Sequence, residues 1–158
     1  MQKNTTPTVD AIGELRFEGN IIPHSWYCHI KLPSGKVDLN AIILLSDVIY
    51  WYRPTIKRDE STGAVISINR RFKADMLQKQ YETWGNLFGL TKRQTKDAVN
   101  RLVKGKLLKR VFRKIMPENS VPLANVMFIE PIVENIKAIT CETSMVLERE
   151  DKNGTTTV

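Results

Sequence analysis

Two patterns of apolar positions organise the chain. Between residues 39 and 52 it reads LNAIILLSDVIYWY, and apolar side chains occupy nearly every face of the helix this would make. Asp38 stands in front as an N-cap and Pro54 stands behind as a stop, so a helix of about four turns is expected, buried on most of its sides. The second pattern has the spacing of a single buried face: Ala98, Val99, Leu102 and Val103 recur among Arg93, Lys96, Asp97, Asn100, Arg101 and Lys104. Thr91 with Gln94 three residues on is a capping box for this helix, and Gly105 is its stop. Just upstream, residues 80–88 read as a short helix, Gly89 supplies a left-handed turn and Leu90 anchors it. Gly85 stands four residues before Gly89, where two crossing helices touch and a larger side chain would push them apart. A small residue at the crossing, a Gly in the turn and polar residues exposed on the second helix are the requirements of a helix-turn-helix.

The segment LLKRVFRKI, residues 107–115, has apolar positions nearer the period of a helix than of a strand. A strand is nevertheless expected, because Gly105 has just stopped a helix, MPENSVPLA is a turn-rich loop, and NVMFIEP beyond it is rich in strand formers. The two strands would close into a hairpin. Earlier, AVISIN reads as a short strand behind a polar loop, TIKRDESTG. In RRFKADMLQK, Phe72, Met76 and Leu77 allow a helical turn, which is preferred over an extended connector. Residues 1–20 read as a polar, flexible arm with at most a short strand around LRF. PIVENIKAI opens a helix at Pro131, and residues 141–158 form a polar tail.

Charge changes the picture. The chain of 158 residues carries a net +7. Residues 91–114 alone hold ten Lys or Arg against one acid, Asp97, a net of +9, which leaves the remainder slightly acidic. A solvated helix without a partner would mix the two signs, and this one does not. A polyanion is the expected partner, with phosphates supplying most of the binding free energy and the first turn of the second helix reaching base edges in the major groove. The candidate DNA-binding residues are Thr91, Lys92, Arg93, Gln94, Lys96, Asn100, Arg101, Lys104, Lys106, Arg110, Arg113 and Lys114. Arg93, Gln94 and Asn100 are the candidate base readers, since Arg can take guanine and Gln or Asn adenine through paired hydrogen bonds. Gln94 has a competing role in the capping box.

Other functions find little purchase. Cys28 and Cys141 lie far apart without a metal-ligand spacing, so a reducing cytoplasm is expected and neither a disulfide framework nor a zinc site is. His24, Cys28 and His29 lie close together but lack a fourth ligand or an acidic orienter, and read as packing or surface residues. No Gly-rich phosphate loop is present, and the best apolar run is too short to span a bilayer. Neither an enzymatic activity nor a cofactor is expected.

The combination of GKVDLNAIILLSDVIYWYRP, FKADMLQKQYETWGNLFGLTKRQ and NRLVKGKLL resembles the N-terminal domain of replication initiator, or replisome-organiser, proteins of phages and plasmids, over roughly residues 22–131. Two positions depart from the helix-turn-helix pattern: Thr95 stands where Val or Ile is common, and Ala98 is smaller than usual. The resemblance implies an α+β, mainly helical fold, a winged helix-turn-helix with a two- or three-stranded wing sheet, spanning residues 21–140. It also implies sequence-specific binding of double-stranded DNA at a replication origin. The alternatives are a transcriptional regulator of the same fold, or an interaction module that recruits replication proteins. A homodimer is a further expectation, because a small domain could leave part of the apolar 39–52 helix for a two-fold partner.

Overall fold

The computed structural model describes residues 1–140, and the tail expected at 141–158 lies outside the described residues. The helices are α1 (Pro7–Glu14), α2 (Trp26–His29), α3 (Leu39–Tyr52), α4 (Tyr81–Leu87), α5 (Lys92–Lys104) and α6 (Val133–Thr140). The strands are β1 (Thr55–Arg58), β2 (Val65–Asn69), β3 (Leu77–Gln78), β4 (Leu108–Ile115) and β5 (Leu123–Pro131). The fold is mixed α and β, with one antiparallel two-stranded sheet, β1-β2, and one three-stranded sheet in the order β3-β5-β4.

Helix α3 is the centre of the core. The Asp38 carboxylate accepts from the Ala41 N–H at 3.2 Å, which satisfies one of the donors orphaned at the helix start. Ala41, Ile42, Leu44, Leu45 and Val48 are fully buried among Trp26, Trp84, Val99, Leu102 and Ile129. Each large apolar side chain so buried contributes about 1.5–3 kcal/mol. The same helix buries Asp47, which accepts from Trp84 Nε1 at 2.8 Å and pairs with Lys79 at 3.2 Å, so the carboxylate is compensated. The burial is confined to the middle of α3: Leu39 at its start is 56% exposed, and Ile49, Tyr50, Trp51 and Tyr52 at its end are half-buried.

Helices α4 and α5 meet at the position that Gly85 marks. A Cβ there would lie 2.2 Å from Thr95 Oγ1 and 2.9 Å from the Leu90 carbonyl oxygen, so only glycine allows this approach. Gly89 takes the left-handed conformation expected of it, with φ +72°. Below the helices, β4 and β5 form a long hairpin in which Lys109 faces Glu130 and Val111 faces Phe128. The short β3 adds to the other edge of β5 through Leu77 and Ile129. Tyr52 ties this edge to α3: its hydroxyl accepts from the Leu77 N–H at 3.1 Å and donates to the Ile129 carbonyl.

Several expectations are corrected. The arm contains α1, with Thr6 as N-cap and Pro7 at the first helical position, and no strand forms around LRF. The polar loop before β2 is half strand, since Thr55–Arg58 pairs with β2 in a hairpin closed around Asp59, Ser61 and Thr62. RRFKADMLQK forms no helix: residues 71–76 are a sharply bent connector that delivers Leu77 to the sheet edge. Pro131 ends β5 opposite Leu108, and α6 starts two residues later.

Candidate nucleic-acid interface

The exposed face of α5 follows from its buried one. Thr95, Ala98, Val99 and Leu102 recur at i, i+3, i+4 and i+7 and are buried, which turns Lys92, Arg93, Lys96, Asn100 and Lys104 to solvent. At the helix start both halves of the capping box are made: Thr91 Oγ1 accepts from Gln94 N at 3.1 Å, and Gln94 Oε1 accepts from Thr91 N at 2.9 Å. The side-chain oxygens of Thr91 and Gln94 are therefore occupied in holding the helix end. Arg93 is free to move, with its side chain 91% exposed and only a loose contact of 3.9 Å to Asp97. Such an exposed pair contributes little to stability.

Three of the ten cations in residues 91–114 are committed within the chain, Arg101 and Arg113 to acids and Arg110 to neutral partners. Arg101 does not face solvent with the rest of α5; its guanidinium donates to both oxygens of the buried Asp38, at 2.6 and 3.0 Å. This pairing holds the Arg101 pKa above its ordinary value. It reaches Asp38 because residue 101 lies one step round the helix from the Lys96 and Asn100 stripe, on the side that packs against α3. Arg113 is likewise bound to Asp75, at 2.6 and 3.0 Å, and stacks 4.7 Å from the Phe128 ring. The hydrogen bond to Arg113 lowers the Asp75 pKa, and the same contact raises that of Arg113. Arg113 also pairs with Val126 in the body of the hairpin, so it is not at the tip. The tip, residues 116–122, carries Glu118 and no cation.

Between helix and hairpin the link is Arg110. Its guanidinium donates to Asn100 Oδ1 at 2.6 Å and to the Tyr81 hydroxyl at 2.8 Å, joining β4 to α5 and α4. Asn100 thus has its acceptor engaged, and it sits in the third turn of α5 rather than the first. Strand alternation places Phe112 and Lys114 on the same face as Arg110, and Phe112 is 52% exposed with the Arg110 guanidinium 5.6 Å from its ring. A cleft of about 340 Å³ lies between this face and the start of α5, lined by Lys92, Tyr81, Phe112 and Leu123 among others.

The candidate surface comprises the exposed Lys92, Arg93, Lys96 and Lys104 of α5, Lys106 after it and Lys114 of β4. Tyr81 and Phe112 belong to it and were missed from sequence. Phe112 was legible in principle, since a strand over residues 108–115 puts it between two cations; Tyr81 was not, because its contact with Arg110 spans 29 residues. His29 lines a cleft beside Asp38, Arg101 and Gly105, and among the described residues no group of three His, Cys, Asp or Glu is placed to hold a metal ion. No helix among the described residues is long and apolar enough to cross a membrane. Comparison with protein-family models, with curated proteins and with solved structures found no match.

Proposed function

We propose that the chain binds double-stranded DNA as a winged helix-turn-helix, with α4 and α5 as the helix-turn-helix and the β4–β5 hairpin as the wing. Its role is that of a phage, prophage or plasmid replication initiation protein that recognises an origin and acts by binding, without catalysis. The observation that carries this reading is the solvent face of α5. Lys92, Arg93 and Lys96 project, unmatched by neighbouring acids except Asp97, from a helix whose opposite face is locked into the core. A rigid helix with cations in its first turn can enter the major groove without losing side-chain packing.

Support for the wing comes from the strand order β3-β5-β4 directly after α5, and from Arg110, which fixes the hairpin to α5 through Asn100. The two elements would meet DNA as one body. In this arrangement Arg93 reads bases, whereas Lys104, Lys106 and Lys114 hold phosphates. An electrophoretic shift assay over a library of duplexes tests the reading. Retention of a preferred sequence, lost on Arg93→Ala while random-duplex binding persists, supports it; absence of any duplex binding at low salt would overturn it.

A further inference from the structure

A second concentration of cations lies outside α5. Residues 53–73 contain Arg53, Lys57, Arg58, Arg70, Arg71 and Lys73 against Asp59 and Glu60. Two of these, Arg53 and Arg71, meet aromatic rings at the C-terminal end of α3. Arg71 lies 4.7 Å from the Tyr50 ring centroid and Arg53 lies 5.4 Å from it. Tyr50 meets Trp51 edge to face at 5.6 Å, and the Lys79 ammonium lies 5.3 Å from the Trp51 ring. A cleft of about 770 Å³ opens over this ladder, and Phe17, 76% exposed, stands at its rim.

The acids that line the cleft are Glu18 and Asp47. Asp47 is spent on Lys79 and Trp84, and Arg71 donates to the Arg53 carbonyl at 2.7 Å and to the Tyr50 hydroxyl at 3.4 Å, which leaves Arg53 as the cation facing Glu18. Lys79 also lines a neighbouring cleft of about 460 Å³ and the cleft of about 340 Å³ that ends at Lys92 and Phe112. Lys79 is thus shared by three neighbouring clefts, and together these line a grooved surface from the aromatic ladder to the first residue of α5.

We infer that this groove binds an unpaired nucleic-acid strand. Bases stack on Trp51 and on the Tyr50–Arg71 pair, which the Arg71 hydrogen bond to the Arg53 carbonyl holds in place, and Arg53 meets the phosphates. Alternation of flat rings and guanidinium groups suits a strand whose base faces are open, because every base has a face to stack and every linkage a charge. A duplex hides those faces, and an acidic peptide would use the cations but leave the rings unanswered. The inference deepens the duplex-binding reading, since the groove starts beside the duplex surface; it rests on that reading for its role and not for its binding.

Tryptophan fluorescence reports the site directly. Of the three tryptophans, Trp26 and Trp84 are 1% and 2% exposed, whereas Trp51 is partly open to the cleft. Titration of the full chain with oligothymidylate of about ten nucleotides should quench the emission saturably. Trp51→Phe should remove the quench. Trp51→Ala should weaken binding roughly five- to a hundredfold, as loss of a stacking partner does, and Arg53→Ala should weaken it and lower its salt dependence by about one unit, as loss of a phosphate contact does. Arg53→Ala guards against misfolding, because among the described residues the Arg53 guanidinium makes no hydrogen bond. Arg93→Ala should leave the quench intact. An absent quench, a quench undiminished in Trp51→Phe, or displacement by polyglutamate as readily as by oligothymidylate would overturn the inference. A protein that shifts duplex but shows no quench refutes this site alone, and one that is quenched but shifts no duplex refutes only the duplex reading.

Discussion

Arg101 of α5 clasps Asp38, the N-cap of α3, through two hydrogen bonds across 63 residues of sequence. The Asp38 side chain is 3% exposed and that of Arg101 31%. Removing the guanidinium leaves a buried carboxylate unpaired at the start of the central helix. Arg101→Ala should therefore cost about 2–4 kcal/mol of folding stability, toward the lower part of the range for buried pairs because the guanidinium is partly wet. Urea unfolding measures this. A loss below about 0.5 kcal/mol, with DNA affinity reduced instead, would return Arg101 to the DNA surface.

Gly85 and Thr95 test the crossing of α4 and α5. Gly85→Ala puts a methyl group into Thr95 Oγ1 and against the Leu90 carbonyl, and should destabilise by about 2–4 kcal/mol. Adding Thr95→Ala removes the first clash and leaves the second. The double variant should recover part of the loss, so the two substitutions couple favourably in a double-mutant cycle. Strict additivity in thermal unfolding would show that the helices do not cross here.

The end of α5 has its left-handed residue one position later than sequence suggests. Gly105 has φ −75°, whereas Lys106 has φ +57°. A non-glycine residue pays about 1 kcal/mol for that conformation. Lys106→Gly should raise stability by about this much, while lowering the salt dependence of duplex binding by about one unit if Lys106 meets a phosphate. Both readouts come from one variant, and a fall in melting temperature would contradict the backbone argument.

The β1–β2 turn carries a pH-dependent element. Hydrogen bonds from Ser61 and Thr62 hold the Asp59 carboxyl down at about 2, from an ordinary 3.8. A depressed carboxylate pKa adds stability that is complete above about pH 4 and lost as pH falls through about 2. Nuclear magnetic resonance titration should give Asp59 a midpoint near 2, with the amide signals of Ser61 and Thr62 moving over the same range. A midpoint at the ordinary value, or no change in hairpin protection on Asp59→Ala, would show that the turn does not depend on this charge.

How much of this was legible depended on whether the determining contact was local. The capping box of Thr91 and Gln94, the turn at Gly89 and the buried stripe on α5 are set by residues within one or two helical turns; the first two are found as expected, and the stripe is found with Thr95 buried and Val103 half-buried. The β4–β5 hairpin was legible by its flanks despite a helix-like apolar period, since Val111 and Arg113 face Phe128 and Asp75 while Arg110 and Phe112 line the other side. What failed was non-local. Nothing near Arg101 or Arg113 marks them as partners of Asp38 and Asp75, and nothing in RRFKADMLQK shows that Tyr52 will receive the Leu77 N–H at a sheet edge. The strand before Asp59 was hidden because TIKR has a single apolar residue, Ile56, and is exposed on both faces.

The central claim is that the cations of α5 and the hairpin meet DNA phosphates, and the salt dependence of duplex binding tests it most directly. Lys92, Arg93, Lys96, Lys104, Lys106 and Lys114 are exposed, and about five of them should be within reach of the backbone at once. Affinity for a duplex, followed by fluorescence anisotropy, should then fall with a slope of roughly −4 to −5 in log Kd-derived association constant against log salt, from −0.9 per phosphate neutralised. A slope near zero, or no binding at the lowest salt, would contradict the account.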